Sequence, residues 1–103
     1  MAVLKITADN FQKEVLESKV PVLIDFWAVW CGPCQMQGPV IDQAAEKFEG
    51  QIKVGKINVD EEGTLAQQYG VMSIPTLILF KDGQVAKKVV GFQSLNEIGA
   101  IIA

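Results

Sequence analysis

Apolar residues in this chain cluster into short runs that are separated by glycine, proline and charged residues. Five of these runs are rich in branched or aromatic residues, which is typical of β-strands. The run VPVLIDFWA is almost continuously apolar, and this pattern favours a strand buried on both faces. The pattern predicts strands at 4–7, 20–28, 51–60, 76–80 and 84–91.

Helix signals occupy the segments between these runs. The longest predicted helix, 31–50, ends at Gly50, because glycine accepts the left-handed conformation that closes many helices. Pro39 lies in its interior and is expected to kink it, since proline lacks the N–H and crowds the preceding turn. The full set of predicted helices is 9–18, 31–50, 61–70 and 94–103.

Two pairs of residues mark helix starts. Asp9 and Gln12 are candidate caps for the first helix, whose apolar residues recur at helical spacing. Ser94 and Glu97 have the spacing of a capping box at the start of the last helix. Both pairs therefore support helices at these positions.

The order of the predicted elements is β-α-β-α-β-α-β-β-α. Strands joined through helices are expected to run parallel, whereas the last two strands flank Asp82-Gly83, a strong two-residue hairpin turn. We therefore predict an α/β fold in one domain, 1–103, with a central mixed sheet of five strands flanked by four helices on its two faces.

Composition and charge exclude several classes of function. The chain has 103 residues, a net charge of −3, nine lysines, no arginine and no histidine. No basic patch that could neutralise nucleic-acid phosphates is apparent, and catalysis by a Cys–His pair is excluded. No apolar run is long enough for a membrane span and no secretory leader is visible, which favours a cytoplasmic protein.

Both cysteines of the chain lie in WCGPC, at positions 31 and 34. A structural zinc site needs about four ligands, so a metal site here would require a second chain or carboxylates. A structural disulfide would close one of the smallest possible loops and would stabilise the fold little. A redox couple is the third interpretation, and it accounts best for the details of the motif.

The redox interpretation follows from helix geometry. Residues three apart on a helix lie on one face at about 5–6 Å between Cβ atoms, near the distance that a disulfide requires. Cys31 would lie at the helix start, where free N–H groups favour a thiolate, and Cys34 would be more buried. Gly32 leaves space above the sulfurs, and Pro33 stiffens the loop at a position where a missing N–H costs little.

The segments FWAVWCGPC, SIPT and KDG, together with Pro39 inside the helix, occur here in the order found in thioredoxins. Over essentially its whole length the chain therefore resembles the thioredoxin family. The resemblance implies the thioredoxin fold and the reduction of protein disulfides by dithiol–disulfide exchange. It also implies a separate thioredoxin reductase as partner, a monomer, and no bound cofactor, because the two sulfurs carry the electron pair.

The resemblance assigns roles to individual residues. It implies that Cys31 is the attacking thiol and that Cys34 resolves the mixed disulfide. Pro75, in SIPT, matches a proline that follows a cis peptide bond and turns the Ile74 backbone towards the sulfurs. The alternative for Pro75 is an ordinary proline at the start of a strand.

Asp25 interrupts the apolar strand VLIDFW, so its carboxylate is expected to face the interior behind the cysteines. Burial disfavours the charged form and raises the pKa of such a carboxyl group. In the family this position accepts the proton of the resolving cysteine, and Lys56 matches a lysine near it. The alternatives are a carboxylate facing solvent at the strand end and a surface lysine.

The resemblance also predicts an apolar platform around the cysteines, formed by Trp30, Gly32, Pro33, Ile74 and Gly91. Such a patch beside a reactive sulfur suits docking of varied flexible segments. The glycines and the isoleucine could equally be turn and packing residues.

Several positions differ from the commonest family pattern. Gln35 replaces a frequent cation, and Phe92 follows Gly91 where a small residue is common. Trp27 is expected to pack in the core.

Three other functions remain open from the residues alone, one of which is the metal site shared between two chains. The same pair could serve an oxidant or an isomerase, since the redox potential does not follow from the sequence. The chain could also be a binding module that uses the apolar platform without chemistry.

Overall fold

The computed structural model describes residues 3–103. Its strands, in chain order, are β1 (Leu4–Lys5), β2 (Val22–Trp27), β3 (Lys53–Asn58), β4 (Thr76–Lys81) and β5 (Gln84–Val90). Its helices are a five-residue π-helix (Gln12–Leu16), α1 (Gly32–Lys47), α2 (Gly63–Gln68) and α3 (Leu95–Ile102). The predicted order of elements is therefore confirmed over the described residues.

The strands form one mixed sheet in the spatial order β1-β3-β2-β4-β5. β3 pairs parallel with both β1 and β2, whereas β4 pairs antiparallel with β2 and β5. The parallel pairs follow helical crossovers and the antiparallel pair β4–β5 is a hairpin, as the sequence predicts. The α/β class and the mixed five-stranded sheet are confirmed.

The side-chain period of strand β2 divides the core between the two faces of the sheet. Val22, Ile24 and Phe26 pack in one cluster with residues of the π-helix and α2, while Leu23 packs in another with residues of α1 and α3. Successive side chains of a strand point to opposite faces. Asp25 therefore shares the face of Leu23, and that face is covered by α1.

The first helix is shorter than predicted, and the expectation that Asp9 and Gln12 cap it is wrong. The N-cap is Phe11, whose side chain makes no capping hydrogen bond. The turn before the helix is held instead by Asn10, whose Oδ1 accepts a hydrogen bond of 2.7 Å from the Thr7 N–H. Lys53 Nζ donates to the Glu14 carbonyl at 2.7 Å and thus ties the π-helix to β3.

The other predicted ends agree better with the structure. Ser94 and Glu97 form the predicted capping box at the start of α3. Helix α1 ends at Lys47 rather than at Gly50, because a turn at 48–51 intervenes, and Gly50 has a positive φ of 86°. Pro39 lies inside α1 as expected.

The hairpin turn between β4 and β5 confirms the prediction from Asp82-Gly83. Both residues have positive φ, at 54° and 78°, as a type I′ turn requires. A Cβ added to Gly83 would lie only 2.8 Å from the carbonyl oxygen of Leu16. Position 83 is therefore closed to side chains both by its conformation and by its packing.

None of the helices in residues 3–103 is long and apolar enough to cross a membrane.

Substitution of glycine by alanine is expected to change the free energy of unfolding in opposite directions at Gly83 and Gly38. Gly83→Ala is expected to lower the free energy of unfolding by about 1–3 kcal/mol, because alanine is strained at positive φ and here meets the Leu16 backbone. Gly38→Ala, in the interior of α1 where a Cβ meets nothing within 4 Å, is expected to raise it by about 0.5–1 kcal/mol. Urea denaturation of both variants measures the two values, and equal signs would contradict this account.

Candidate active site at the start of helix α1

Cys31 and Cys34 form a disulfide at the N-terminus of α1, with their Cα atoms 5.2 Å apart. Cys31 is the N-cap residue, with extended backbone, and helix α1 begins at Gly32. The backbone N–H of Cys34 donates to Cys31 Sγ at 3.2 Å. The sulfur thus receives one of the N–H groups that a helix start leaves without a partner.

In the disulfide form Cys34 is only marginally more buried than Cys31, so the expected difference in burial is negligible. The two residues are 5% and 4% exposed, respectively. Ala28, Val59 and Ile74 pack around the pair, so Cys31 is covered although it precedes the helix. The two sulfurs differ in their surroundings, because only Cys34 lines a cavity that Asp25 also lines.

Gly32 and Pro33 lie exposed in the first turn of α1. A Cβ on Gly32 would meet no atom within 4 Å, so the surface beside the sulfurs is open. Pro33 occupies a position whose N–H would have no partner within the helix, as expected.

Asp25 is buried behind the disulfide. Its side chain is 2% exposed, which rejects the alternative of a carboxylate facing solvent. Burial raises its pKa to about 7, and the charge of Lys56 opposes that rise. Among the partners that residues 3–103 offer, none forms a hydrogen bond with Asp25 Oδ1.

A cavity of about 300 Å³ is bordered by both this carboxyl group and Cys34. It lies between β2, β3 and the first half of α1, and its lining includes Asp25, Cys34, Pro39 and Lys56. The cavity is large enough for several water molecules. It therefore has room for water between Cys34 and Asp25.

Lys56 lies next to Asp25, because the two residues are direct partners in the parallel β2–β3 pairing. Its side chain is half-buried, and Nζ lies 5.0 Å from the centre of the Trp27 ring, within cation–π distance. Trp27 is itself only partly buried and packs beside the cysteines, so its assignment to the core is confirmed in part.

The loop before β4 covers the disulfide from the other side. The Ile74–Pro75 peptide bond is cis, as the resemblance implies, and the Ile74 carbonyl oxygen lies 3.8 Å from Cys31 Sγ. Thr76 Oγ1 donates to the Ser73 carbonyl at 2.5 Å and fixes this loop. The Gly91 N–H donates to the Pro75 carbonyl at 2.8 Å, which brings the start of the next loop to the site.

The loops next to the disulfide carry exposed apolar side chains. Trp30 is 71% exposed, and its Nε1 donates to Asp60 Oδ2 at 2.8 Å, which holds the ring in place. Ile74 and Gly91 are half-buried. Further exposed apolar side chains in these loops are Val29, Met72 and Phe92.

Sequence reasoning missed Asp60 and Gln37. Asp60 follows β3 and Trp30 follows β2, and the carboxyl ends of adjacent parallel strands meet at one edge, so their contact was accessible to inference. Gln37 lies on the buried stripe of α1, which comprises Cys34, Gln37, Ile41, Ala44 and Ala45. A glutamine at an apolar position of a helix is the signal that could have identified it.

Comparison with known proteins agrees with this geometry. The family model described as Thioredoxin matches residues 2–103. "Thioredoxin 1" of Nostoc sp. is 56% identical over 90 residues, which cover 87% of this chain and 84% of the relative. "Thioredoxin 1" of Synechococcus elongatus is 56% identical over 84% of this chain and 80% of the relative. "Thioredoxin" of Rickettsia felis is 47% identical over 90% of this chain and 89% of the relative.

The range matched by the family model includes the strand before the disulfide, both cysteines and the loop with the cis proline. The chain belongs to the thioredoxin family of thiol-disulfide oxidoreductases.

Proposed function

We propose that this protein reduces disulfide bonds in other proteins, with Cys31 as the attacking thiol, Cys34 as the resolving thiol and Asp25 as the proton acceptor. The observation that carries the proposal is the Cys31–Cys34 pair at the start of α1, in front of a cavity that also contains the buried Asp25 carboxyl group.

The first step begins with the reduced pair. In the disulfide form Cys31 Sγ lies at the helix start and accepts the Cys34 N–H, and the same position would favour its thiolate once the pair is reduced. This thiolate attacks one sulfur of a substrate disulfide. A Cys31–substrate mixed disulfide forms, the substrate disulfide breaks, and the second substrate sulfur leaves as a thiolate that takes a proton from solvent.

The second step returns the pair to the oxidised form. Cys34 loses its proton to Asp25 through the cavity, and its thiolate attacks Cys31 Sγ. The Cys31–Cys34 disulfide forms and the remaining substrate sulfur leaves, so two electrons have passed from the pair to the substrate. A pKa of about 7 suits this role, because the carboxyl group can both take and release a proton near neutral pH.

Substrate docking is assigned to the surface around the disulfide. The exposed Trp30 ring, the first turn of α1 and Gly91 would contact a substrate segment, and the Ile74 backbone would pair with it as an added strand. Lys56 would act on the chemistry only through its charge next to Asp25.

The reductant, the oligomeric state and the location in the cell are inferred from the family. The oxidised pair needs a reductant, and a separate thioredoxin reductase is the partner we assign to that step. The sequence carries no nucleotide-binding signature of the GxGxxG type, which supports a separate electron source. A monomer in the cytoplasm, without a bound cofactor, completes the proposal.

Single-cysteine variants test the order of attack. Cys34→Ser is expected to form a stable mixed disulfide with a protein substrate, because the resolving thiol is missing. Cys31→Ser is expected to form little of it, because the remaining thiol lacks the helix-start position. Non-reducing electrophoresis after incubation with oxidised insulin measures both, and equal trapping by the two variants would reject the assigned roles.

Asp25 also predicts a dependence of stability on pH. Its pKa is about 7 in the folded protein and near 3.8 in the unfolded chain, so the folded state binds more protons between these values. The stabilisation is fully present below pH 4 and is lost as pH rises to 7. Asp25→Ala is expected to remove this decline and to raise the free energy of unfolding at pH 8 by about 2–4 kcal/mol.

Urea denaturation from pH 4 to pH 9 measures this effect. Asp42→Ala is the matched control, since Asp42 also borders the cavity but is exposed, and it should keep the decline of the native protein. An Asp25→Ala variant that is less stable than the native protein at pH 8 would contradict the burial argument.

The same variant tests the proton transfer. Asp25→Ala is expected to slow the second step about 10-fold or more at pH 7, because Cys34 then loses its proton without the carboxylate. Rapid-quench measurement of the mixed disulfide should find it accumulating, while the first step keeps its rate. Unchanged decay of the mixed disulfide would remove Asp25 from the mechanism.

A further inference from the structure

Gln37 is a fully buried polar residue within the apolar face of α1. It is 0% exposed and lies three residues after Cys34, on the same face of the helix. Its Nε2 donates to the Gln93 carbonyl at 3.0 Å, and its Oε1 accepts from the Gln93 N–H at 2.8 Å. One side chain amide thus satisfies both backbone groups of Gln93, as a neighbouring strand would.

The segment that Gln37 holds is the loop 91–94, between β5 and α3. Its first residue donates from Gly91 N–H to the Pro75 carbonyl at 2.8 Å, and its last residue, Ser94, forms the capping box of α3. Phe92 lies between the Pro75 contact and the Gln37 contact and is 40% exposed. The backbone on both sides of this aromatic side chain is therefore fixed, one side to the cis-proline loop and the other to the helix of the disulfide.

Because Gln37 is buried, its two hydrogen bonds with Gln93 are costly to break. A backbone N–H or carbonyl that is kept from water without a partner costs hydration energy, and the half-buried Gln93 would lose the partners of both its N–H and its carbonyl. The loop would then move until water or another group satisfied both. An apolar residue at position 37 would leave α1 packed, but it would release the loop that carries Gly91 and Phe92.

We propose that Gln37 is a positioning residue for protein substrates: its amide sets the placement of Gly91 and Phe92 relative to the Cys31–Cys34 pair. This inference rests on the proposed function. The side-chain hydrogen bonds of Gln37 go to Gln93 and not to either sulfur, so it acts through Gln93. Its loss weakens the docking of a protein substrate and leaves the exchange chemistry at Cys31 intact.

The test compares a large and a small disulfide. Reduced Gln37→Leu is mixed with excess insulin, and separately with 5,5′-dithiobis(2-nitrobenzoate), under single-turnover conditions. We expect the half-saturating insulin concentration to rise about 3- to 10-fold at an unchanged maximal rate, because only docking is impaired. The rate with the small reagent, which needs no contact with Phe92, should stay within about twofold of the native value.

Gln43→Leu is the matched control. It makes the same substitution on the same helix at an exposed position, and it should change neither measurement. Thermal unfolding of all variants identifies any general loss of structure.

Gln37→Glu provides a second variant whose state depends on pH. A protonated carboxyl group can donate to the Gln93 carbonyl and accept from its N–H, whereas a carboxylate can only accept. The ratio of its half-saturating insulin concentration to that of the native protein should be near 1 at pH 5.5 and should rise with pH. This variant keeps the test open if Gln37→Leu fails to fold.

The outcomes separate the inference from the proposed function. A folded Gln37→Leu with native insulin saturation, or with equal losses for both disulfides, would overturn the positioning role. A native protein that reduces neither insulin nor the small reagent would overturn the proposed function instead.

Discussion

The contact between the Cys34 N–H and Cys31 Sγ depends on where a helix starts, and most of the site depends on that contact. Helix α1 begins directly after the first cysteine, so the sulfur occupies the place of a capping oxygen. A cap satisfies helix N–H groups and favours negative charge there. The same geometry brings the second sulfur within bonding distance, with the two Cα atoms 5.2 Å apart. A structural rule for helix ends thus places both sulfurs of the redox pair.

Each buried polar side chain of residues 3–103 either holds a loop near the start of α1 or faces the cavity behind it. They are Asp25, Gln37 and Thr76. Thr76 ties the cis-proline loop, Gln37 ties the loop 91–94, and Asp25 faces the cavity behind Cys34. Burying a polar group is costly unless it finds partners, and here Gln37 and Thr76 both form hydrogen bonds. The third, Asp25, lacks a partner at Oδ1 and has a raised pKa, which reflects its burial.

The helix ends and turns could be predicted from local rules. The predictions failed where two such rules favour different structures. The Asp82-Gly83 turn and the Ser94–Glu97 capping box were predictable because each depends on residues within a few positions. The first helix was predicted too long, because Asn10 caps a turn rather than a helix and the chain enters a π-helix after it. The equal burial of the two cysteines was not predictable, since Ile74 covers Cys31 from forty-three residues away.

By itself the sequence determined the α/β order, the redox pair at a helix start and the inward face of Asp25, because each is set by side-chain period or by spacing of a few residues. Only the tertiary structure determined which distant residues these residues contact. The parallel register placed Lys56 beside Asp25. The two hydrogen bonds between Gln37 and Gln93 join positions 56 residues apart. Such contacts depend on how packed elements fit together in three dimensions, and no local pattern along the chain encodes that fit.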